Sequence, residues 1–543
     1  MSGGVLRAAV LAGIVALSVP ALWPALSSAA APPDTSLDGR VIRSVRIVAH
    51  DIYHPVPAGR ASELYRLANR LHVRSRHGTV RSALVFREGD RWSDAARAES
   101  ERRLRTLTFL TPDSISATST DDSVDVRVVT HDNWTTSPEF NLERGGGQQF
   151  GSFAFTERNL LGMGTSLSVS RHSEPAGLSS AFSVEDRGTL GSRWRTKFAT
   201  GSGAAGRTHE VIVELPFWSE AAPYSLGAEW SRNVSVVHLF ADLVEAAHVP
   251  KREESVYLYA GIGRRETDGS IRRLKLFLRA SDRELGATIL EPGAPAEFAG
   301  APEQSRMRRV GLEGTYWRPR FIERQGIESI DRVEDIDIGR SFSLMAGLSP
   351  KAFGGTADEG YLRAGAHVGA EARGEGFGLV GVGAYTRLRR GPLESFGQLD
   401  ARWVQPTGSR LTAVAAVQGA AGLKMPRDFQ LTVGGLNGLR AFPVRELSGT
   451  RYWRANAEWR GVAKRDIFDV VSIGGAVFWD TARSWGPGSD NEGWHHDAGF
   501  GLRLSLPHSS LNAVARFDIA WPISPSVDGR HGAVYSFGSG QAF

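Results

Sequence analysis

The chain has 543 residues, no cysteine, and 64 basic against 59 acidic residues, which gives a formal net charge of +5. The lack of cysteine excludes a disulfide scaffold and thiolate metal sites. The near balance of charge gives no indication of nucleic-acid binding.

The first 30 residues have the features of a secretory signal peptide. Arg7 precedes the apolar run "AAVLAGIVALSVPALWPAL", and the small residues of "SSAAAPPD" follow it. We predict that residues 1–30 are a signal peptide cleaved near Ala30. The alternative is an uncleaved membrane anchor, but Pro20 and Pro24 interrupt the apolar run and favour cleavage.

The rest of the chain contains no run of about 18 apolar residues, so the sequence predicts no transmembrane helix after residue 31. A secreted soluble protein and a membrane β-barrel both remain open, because barrel strands leave only a weak alternating signal.

Residues 41–132 predict a small α+β domain. The β-branched stretch "VIRSVRIVAH" indicates a strand, and Leu64, Leu67 and Leu71 lie at helical spacing. A second helix is predicted after Ser93, which is a favourable N-cap residue. The stretches "SISAT" and "SVDVRVVTHD" follow as strands, so the expected order is strand, helix, helix, strand, strand.

From about residue 134 the helical periods end and short alternating runs recur. In "RRLKLFLRA", Leu274, Leu276 and Leu278 share one face, opposite Arg273 and Lys275. A strand with one apolar and one charged face fits a soluble sandwich or a membrane barrel with a wet lumen.

The length of this region favours a barrel, because about 400 residues of strands exceed one sandwich. Closing the sheet into a barrel would give every backbone amide and carbonyl group in the lipid a hydrogen-bond partner on a neighbouring strand. We therefore predict a transmembrane antiparallel β-barrel of about 16 strands over residues 138–543, preceded by the α+β domain. Tryptophans near predicted strand ends suit interfacial girdles; they are Trp453, Trp459, Trp479, Trp485 and Trp521.

Four passages occur in a set order along the chain. Residues 80–134 are expected to contain a strand, the "FREGD" turn, a helix rich in Arg and Leu, and a final strand. The stretch "FTERNLLGMGTSLSVS" begins at Phe155, and "GLRAF" begins at Gly438. The stretches "VFWDTARSW" and "RFDIAWPI" come last.

In this order the passages resemble the BamA/TamA-like superfamily of outer-membrane β-barrels, which assemble or translocate polypeptides and join periplasmic POTRA domains to a C-terminal barrel. The resemblance covers nearly the whole chain after the signal peptide. It departs from the family in having room for about one POTRA unit, and in Ala441, which stands where the family usually has glycine. The most specific residues are Asn159, Leu160, Leu161, Gly162 and Gly164 at the start of the barrel, and Gly438, Leu439, Arg440 and Phe442 in a loop.

The resemblance implies that this loop folds into the lumen and that Arg440 meets acidic side chains there. Strand alternation supplies two candidates, because Glu458 lies on the face opposite Trp459, and Asp480 on the face opposite Trp479. We expect Arg440 to pair with Asp480 and also with Glu458, since a guanidinium can bridge two carboxylates.

The resemblance also implies a mechanism. The first barrel strand, about residues 149–157, is expected to close against the last, about residues 531–543, at a seam that opens sideways. Tyr535, Phe537 and Phe543 are expected to share one face of that last strand. A client strand would then add to the exposed edge.

The implied partners are unfolded outer-membrane or exported polypeptides, the lipid bilayer and periplasmic accessory proteins. The expected location is the bacterial outer membrane, with the POTRA-like domain in the periplasm. No cofactor, metal or nucleic acid is expected.

The resemblance thus favours an outer-membrane assembly and insertion factor, to which three other functions compare as follows. A dedicated polypeptide secretion pore uses the same fold, and the sequence does not separate it from an assembly factor. An enzyme is disfavoured, because His495, His496 and Asp497 lie far from Ser505 along an extended strand and no catalytic motif occurs. We expect the two histidines in a solvated loop. A simple porin is disfavoured because it needs no POTRA-like unit.

Overall fold

The computed structural model describes residues 36–59, 62–145, 148–174, 177–204, 206–435, 438–489, 493–511, 514–527, 529 and 531–543. The predicted signal peptide, residues 1–30, lies outside the described residues. Within those residues, no helix is both long and apolar enough to cross a membrane.

The N-terminal part of the chain forms a three-stranded sheet with three helices. The sheet order is β1-β3-β2, in which β1 runs parallel and β2 antiparallel to β3. Val80, Leu84 and Leu104 pack with strand residues such as Val124 in one buried core. In chain order the elements are β1 (Val41–His50), α1 (Ser62–Leu71), α2 (His77–Ala83), α3 (Asp94–Arg105), β2 (Leu110–Thr120) and β3 (Ser123–Asp132).

The prediction of a strand at the start of residues 80–134 is wrong. Residues 80–83 belong to the short helix α2, whose buried Val80 and Ala83 cover the sheet. Apolar residues in a short run suit a buried helix turn as well as a strand, and the periodicity alone does not separate them.

The rest of the described chain consists of strands, joined by loops and three 3-10 turns at Thr189–Gly191, Ala296–Phe298 and Lys351–Phe353. The first strands are β4 (Thr136–Gly145), β5 (Gln148–Leu160), β6 (Thr165–Glu174), β7 (Gly177–Asp186), β8 (Arg195–Gly203), β9 (Gly206–Leu215), β10 (Tyr224–Ala241), β11 (Val244–Arg265), β12 (Ile271–Leu285), β13 (Ile289–Leu290), β14 (Glu303–Arg318), β15 (Phe321–Gln325) and β16 (Val333–Asp337). They are followed by β17 (Arg340–Ser349), β18 (Glu359–Glu371), β19 (Phe377–Leu388), β20 (Pro392–Thr407), β21 (Leu411–Leu423), β22 (Leu431–Val433), β23 (Leu447–Gly449), β24 (Arg451–Ile467), β25 (Val471–Trp485), β26 (His495–Ser505), β27 (Ala515–Pro522) and β28 (Val534–Ser539).

A closed barrel is formed by these strands, with antiparallel pairing from β4 round to β28 and from β28 back to β4. The prediction of a large antiparallel barrel is confirmed, but the number of about 16 strands is wrong. Among the described residues the wall has 20 strands, if the two-residue β13 and the inner pairs β15–β16 and β22–β23 are set aside. The error arose because the first six wall strands are joined by short connections and use few residues each.

The first wall strand is β4, whereas the first barrel strand was expected at about residues 149–157, which lie in β5. Pro138 made β4 hard to predict, because proline inside a stretch of sequence argues against a strand unless that strand lies at the edge of a sheet. In the structure β4 does lie at the seam, where the first wall strand pairs with β28, the last strand of the described chain.

The outer face of the wall is apolar, as the alternation predicted. Leu274, Leu276 and Leu278 are about half exposed on β12, while Lys275 between them turns to the inner face and contacts Glu313. Apolar side chains facing out and polar ones facing in are the arrangement of a barrel that spans a bilayer.

The N-terminal domain lies across one end of the barrel, which we call the near end. It contacts the connections that follow β5, β7, β9, β14, β24 and β26. The opposite end, called the far end, carries the connections that follow β10, β12 and β21.

Two segments enter the lumen from opposite ends. The near-end hairpin, residues 319–339, contains β15 and β16, and its Ile327 and Ile338 pack against Phe377 and Val404 of the wall. The far-end loop, residues 424–450, contains the short pair β22–β23 and carries Arg440.

Candidate functional site

The tip of the far-end loop is buried inside the barrel. Leu439 and Phe442 have no exposed surface, and Ala441 is 4% exposed. These side chains pack with Phe478 and Ala482 of β25 and with other buried apolar groups. Burial of this apolar tip favours the inserted position of the loop.

Arg440 makes a two-pronged contact with Asp480. Its Nε lies 2.7 Å from Asp480 Oδ2, and its Nη2 lies 2.9 Å from Oδ1. The guanidinium stacks over the Phe478 ring, with its central carbon 3.4 Å from the ring centroid. Such forked pairs are among the stronger hydrogen bonds in proteins.

The second predicted partner lies farther away. Arg440 Nη1 is 3.5 Å from Glu458 Oε1 and 3.7 Å from Asp518 Oδ2. Burial lowers the pKa of Arg440, but Asp480 and the other carboxylates outweigh it and raise that pKa above its ordinary value. Arg440 therefore stays charged and serves as an electrostatic anchor.

Glu458 is shared among several arginines of the wall. Arg503 donates to its Oε1 at 2.6 Å, and Arg460 donates to its Oε2 at 3.1 Å. Arg503 also donates to Asp518 at 2.5 Å. These side chains point inward because they alternate with outward-facing residues on β24, β26 and β27.

We call the complete set the lumen charge network. It brings together four basic and four acidic side chains, all at most 6% exposed, and contact between opposite charges lowers the cost of burying them. Its members are Arg440, Arg460, Arg503, Arg516, Glu458, Asp480, Asp497 and Asp518.

Backbone groups of the loop also bind the wall. Asn456 donates to the Gly438 carbonyl at 3.1 Å and to Asp480 at 2.7 Å. Asp497 accepts a hydrogen bond from the Ala441 amide at 3.1 Å. The tip is thus fixed by main-chain contacts as well as by Arg440.

From the sequence, Arg440 was expected to pair with Asp480 and Glu458; the other members of the network were not predicted, namely Arg460, Arg503, Arg516, Asp497 and Asp518. The signal for them was the alternation itself, which put these charged residues on inward faces of predicted strands. Placing them beside Arg440 requires the register between neighbouring strands. For example, Asp480 on β25 lies opposite Asp497 on β26.

The barrel-start motif lies elsewhere, in the turn between β5 and β6 at the near end. Asn159 donates to Ser75 at 2.8 Å and accepts from the Gly164 amide at 2.7 Å. The Gly162 carbonyl accepts from the amide of Arg76 at 2.9 Å. Leu160 ends β5 and Leu161 is exposed. The motif binds the N-terminal domain and takes no part in the lumen charge network.

Tyr535 and Phe537 share the outer face of β28, as expected, but Phe543 does not. Tyr535 is exposed on β28, and Phe537 is half-buried. Phe543 lies beyond the end of β28 and packs inside the lumen against the near-end hairpin. Its backbone oxygen accepts a hydrogen bond from Arg460 at 3.3 Å.

The histidine pair differs from the solvated loop that was expected. His495 and His496 begin β26, and His495 is 2% exposed with its ring 5.3 Å from that of Phe442. His496 stacks on Trp479 on the other face. Strand alternation separates the two rings, so they form no common site.

The fold and the site define a closed antiparallel barrel with an apolar outer face, a docked α+β domain and a loop anchored in the lumen. Among solved structures, the chain is similar to BamA from Haemophilus ducreyi lacking POTRA domains 1–3, with 13% identity over 92% of this chain and 85% of that chain and a TM-score of 0.41. It is also similar to CdiB from Acinetobacter baumannii (12% identity, 93% of this chain, 74% of that chain, TM-score 0.46) and to CdiB from Escherichia coli (11%, 93%, 77%, TM-score 0.46).

The expected resemblance to BamA-like barrels is therefore also found among solved structures. At these identities and TM-scores, the likeness assigns neither a function nor a partner. No protein-family model matches the chain, and no curated protein matches it.

Proposed function

We propose that the protein is a bacterial outer-membrane factor that opens its barrel seam and uses the exposed strand edge to assemble client β-strands. The observation that carries this proposal is the pairing at the seam. In the described residues, β28 pairs with β4 only over Tyr535–Phe537 and Leu142–Arg144. By contrast, β4 pairs with β5 along its full length.

The seam leaves part of the first strand free for a client. Within the described chain, residues 136–141 of β4 have no partner on β28, which ends at Ser539. Unpaired amide and carbonyl groups in lipid are costly, so they favour pairing with an added strand. The free part lies beside the N-terminal domain, where a client from the periplasm would arrive.

In this proposal the N-terminal domain is a POTRA-like periplasmic unit that holds unfolded polypeptides or accessory proteins near the barrel. Edge pairing to β1 or β2 would supply the contact, because these strands flank the sheet. The mechanism is non-enzymatic and needs no cofactor, since strand pairing itself supplies the free energy.

A disulfide across the seam tests the proposal. Leu142→Cys with Phe537→Cys joins two paired residues of β4 and β28. Oxidation should abolish insertion of a client barrel into liposomes, and reduction should restore it. A matched lock inside the wall, Phe155→Cys with Val169→Cys on β5 and β6, should leave insertion intact. Full insertion by the oxidised seam variant would overturn the proposal.

The second candidate is a dedicated polypeptide secretion pore. It is favoured by the two lumen segments, because the far-end loop and the near-end hairpin enter from opposite ends of a wide barrel. A passenger would cross after both move aside, while the seam stays closed.

Depletion of the protein, followed by an outer-membrane and secreted proteome, separates the two functions. Broad loss of barrel proteins supports assembly. Loss of one exported protein supports secretion.

A further inference from the structure

Four side chains with the chemistry of metal ligands meet at the far end of the barrel. His238 on β10 and His248 on β11 lie opposite each other in the strand register. Glu245 precedes His248 on β11, and Glu291 follows the short strand β13. Donor atoms of Glu245, His248 and Glu291 all lie within 4.8 Å of one another.

The spacing of these atoms fits coordination better than direct hydrogen bonding. His248 Nδ1 lies 3.5 Å from Glu291 Oε1 and 3.8 Å from Glu245 Oε1. Hydrogen bonds between nitrogen and oxygen are shorter, at about 2.7–3.2 Å. Ligands bound tetrahedrally at about 2.0–2.1 Å from Zn²⁺ would lie about 3.3–3.4 Å apart. A small adjustment of three side chains would therefore place them around one ion.

The charges also favour a cation. Two carboxylates converge on one imidazole nitrogen, which carries at most one proton and can donate it fully to only one of them. A divalent ion bound between them would neutralise both carboxylates.

The main chain holds the three side chains in place. Ile289 and Leu290 of β13 pair with His248 and Ala247 of β11. The amide of Glu291 donates to the Ala246 carbonyl at 2.9 Å. The cluster is nevertheless open to an arriving ion, because the His248 and Glu291 side chains are 27% and 43% exposed.

We propose that Glu245, His248 and Glu291 form a binding site for a divalent transition metal such as Zn²⁺. His238 positions Glu245, with its Nδ1 2.6 Å from Glu245 Oε1. An imidazole in the ligand set selects Zn²⁺ and related metals over Ca²⁺ and Mg²⁺, which prefer oxygen ligands alone.

The metal would fasten the connection after β12, residues 286–302, to the β10–β11 hairpin. Both of these elements hold the far-end loop. Arg427 of the loop donates to the Gly300 carbonyl at 3.0 Å, and Gln430 exchanges hydrogen bonds with the main chain of Phe240 at 2.6 and 2.9 Å. Metal binding would thus reduce the motion of the β10–β11 hairpin and residues 286–302, the two elements that contact the far-end loop where it enters the lumen. This inference does not depend on the proposed function.

Titration calorimetry with ZnCl₂ tests the site. The sample is the full-length protein, folded in detergent and purified with an affinity tag that contains no histidine. The wild type should bind one Zn²⁺ per chain, and His248→Gln and Glu291→Gln should each weaken binding about 100-fold. His172→Gln is the matched control, because His172 is exposed on β6 outside the cluster, and it should bind like the wild type. Heat-modifiable migration on gels checks that each variant is folded, and neither Gln substitution alters a buried group.

Three results would overturn the proposal. They are no saturable Zn²⁺ binding by the wild type, binding undiminished in both cluster variants, and equal loss in His172→Gln. Mg²⁺ or Ca²⁺ that competed as tightly as Zn²⁺ would overturn the assignment to a transition metal. X-ray absorption at the zinc edge should show one imidazole nitrogen together with oxygen ligands, and oxygen ligands alone would also contradict the site.

Discussion

The two segments that enter the lumen are held in different ways. The far-end loop places Arg440 at 2% exposure among carboxylates that are themselves buried. The near-end hairpin is joined to the N-terminal domain by Arg105, which donates to Asp335 twice at 2.7 Å and to Glu323 at 2.7 Å. Glu323 is 60% exposed, so water screens part of this second set.

Burial decides how firmly each segment is held. Removing one partner from a buried pair leaves an uncompensated charge in a low-dielectric site, whereas water solvates a charge left at the surface. We infer that buried charges hold the far-end loop in the lumen more firmly than Arg105 holds the N-terminal domain to the near-end hairpin, which itself packs against the wall through Ile327 and Ile338.

Asp480→Asn should have the largest effect, because it leaves the Arg440 guanidinium without its main counter-charge. We expect a loss of about 3–5 kcal/mol in the free energy of unfolding. Urea unfolding in detergent, followed by tryptophan fluorescence, measures it. Glu210→Gln is the control, since the Lys197–Glu210 pair on the inner wall is about a third exposed and should cost about 1 kcal/mol or less. Equal losses of unfolding free energy for Asp480→Asn and Glu210→Gln would contradict the difference between buried and exposed ion pairs.

Gly162→Ala should loosen the N-terminal domain. Gly162 has φ +74°, and a Cβ there would lie 2.4 Å from the Arg74 carbonyl oxygen. We expect a cost of about 2–3 kcal/mol, from backbone strain and from displacement of the domain. Gly191→Ala separates these causes, because Gly191 has φ +73° with nothing near its Cβ position. Proteolysis rates of the N-terminal domain should rise for Gly162→Ala more than for Gly191→Ala.

Arg105→Met should release the near-end hairpin from α3 at a smaller cost. Its charged hydrogen bonds are only partly buried, so we expect a loss of about 1.5–3 kcal/mol. Hydrogen exchange should then increase in residues 319–339 and leave the far-end loop protected. Arg43→Met removes a pair with Asp125 that is more exposed and should change exchange in neither segment. Faster exchange of the far-end loop in the Arg105 variant would contradict independent anchoring.

Glu99→Gln should give the smallest effect, a change in the pH dependence of docking. Glu99 lies on α3 and accepts from the Glu220 amide at 2.7 Å. Burial raises the pKa of Glu99 above its ordinary value of 4.5. The folded state therefore holds this proton at pH values where the unfolded state has released it, so the stability due to Glu99 falls as pH rises above 4.5.

The Gln variant keeps the acceptor oxygen without the ionisation. Its free energy of unfolding relative to wild type should be constant below the ordinary pKa of Glu99 and increase as the pH rises above it. Urea unfolding over that range measures the difference. A difference that stays flat at all pH values would show that Glu99 ionises without penalty at this interface.

The sequence predicted the features that depend on alternation within one strand. Asp480 and Glu458 were assigned to inward faces because tryptophans occupy the opposite faces, and the resemblance supplied the idea that Arg440 meets them. Both carboxylates do lie beside Arg440 in the structure.

Features that depend on connections or on long-range register could not be predicted in this way. The number of strands depended on short turns that composition does not reveal. Pro138 concealed β4, and the place of Phe543 in the lumen required knowing that β28 ends at Ser539. The carboxylates shared between Arg440 and Arg503 are Glu458 on β24 and Asp518 on β27. Their proximity depends on the register of all the strands from β24 to β27, which is set only when these strands pair.

The most direct test of buried anchoring is a double-mutant cycle on Arg440→Met and Asp480→Asn. If the pair holds the far-end loop in the lumen, the two changes should be non-additive, with a coupling free energy of about 2–3 kcal/mol. A coupling below about 0.5 kcal/mol would mean that the two residues act independently, and it would contradict the account.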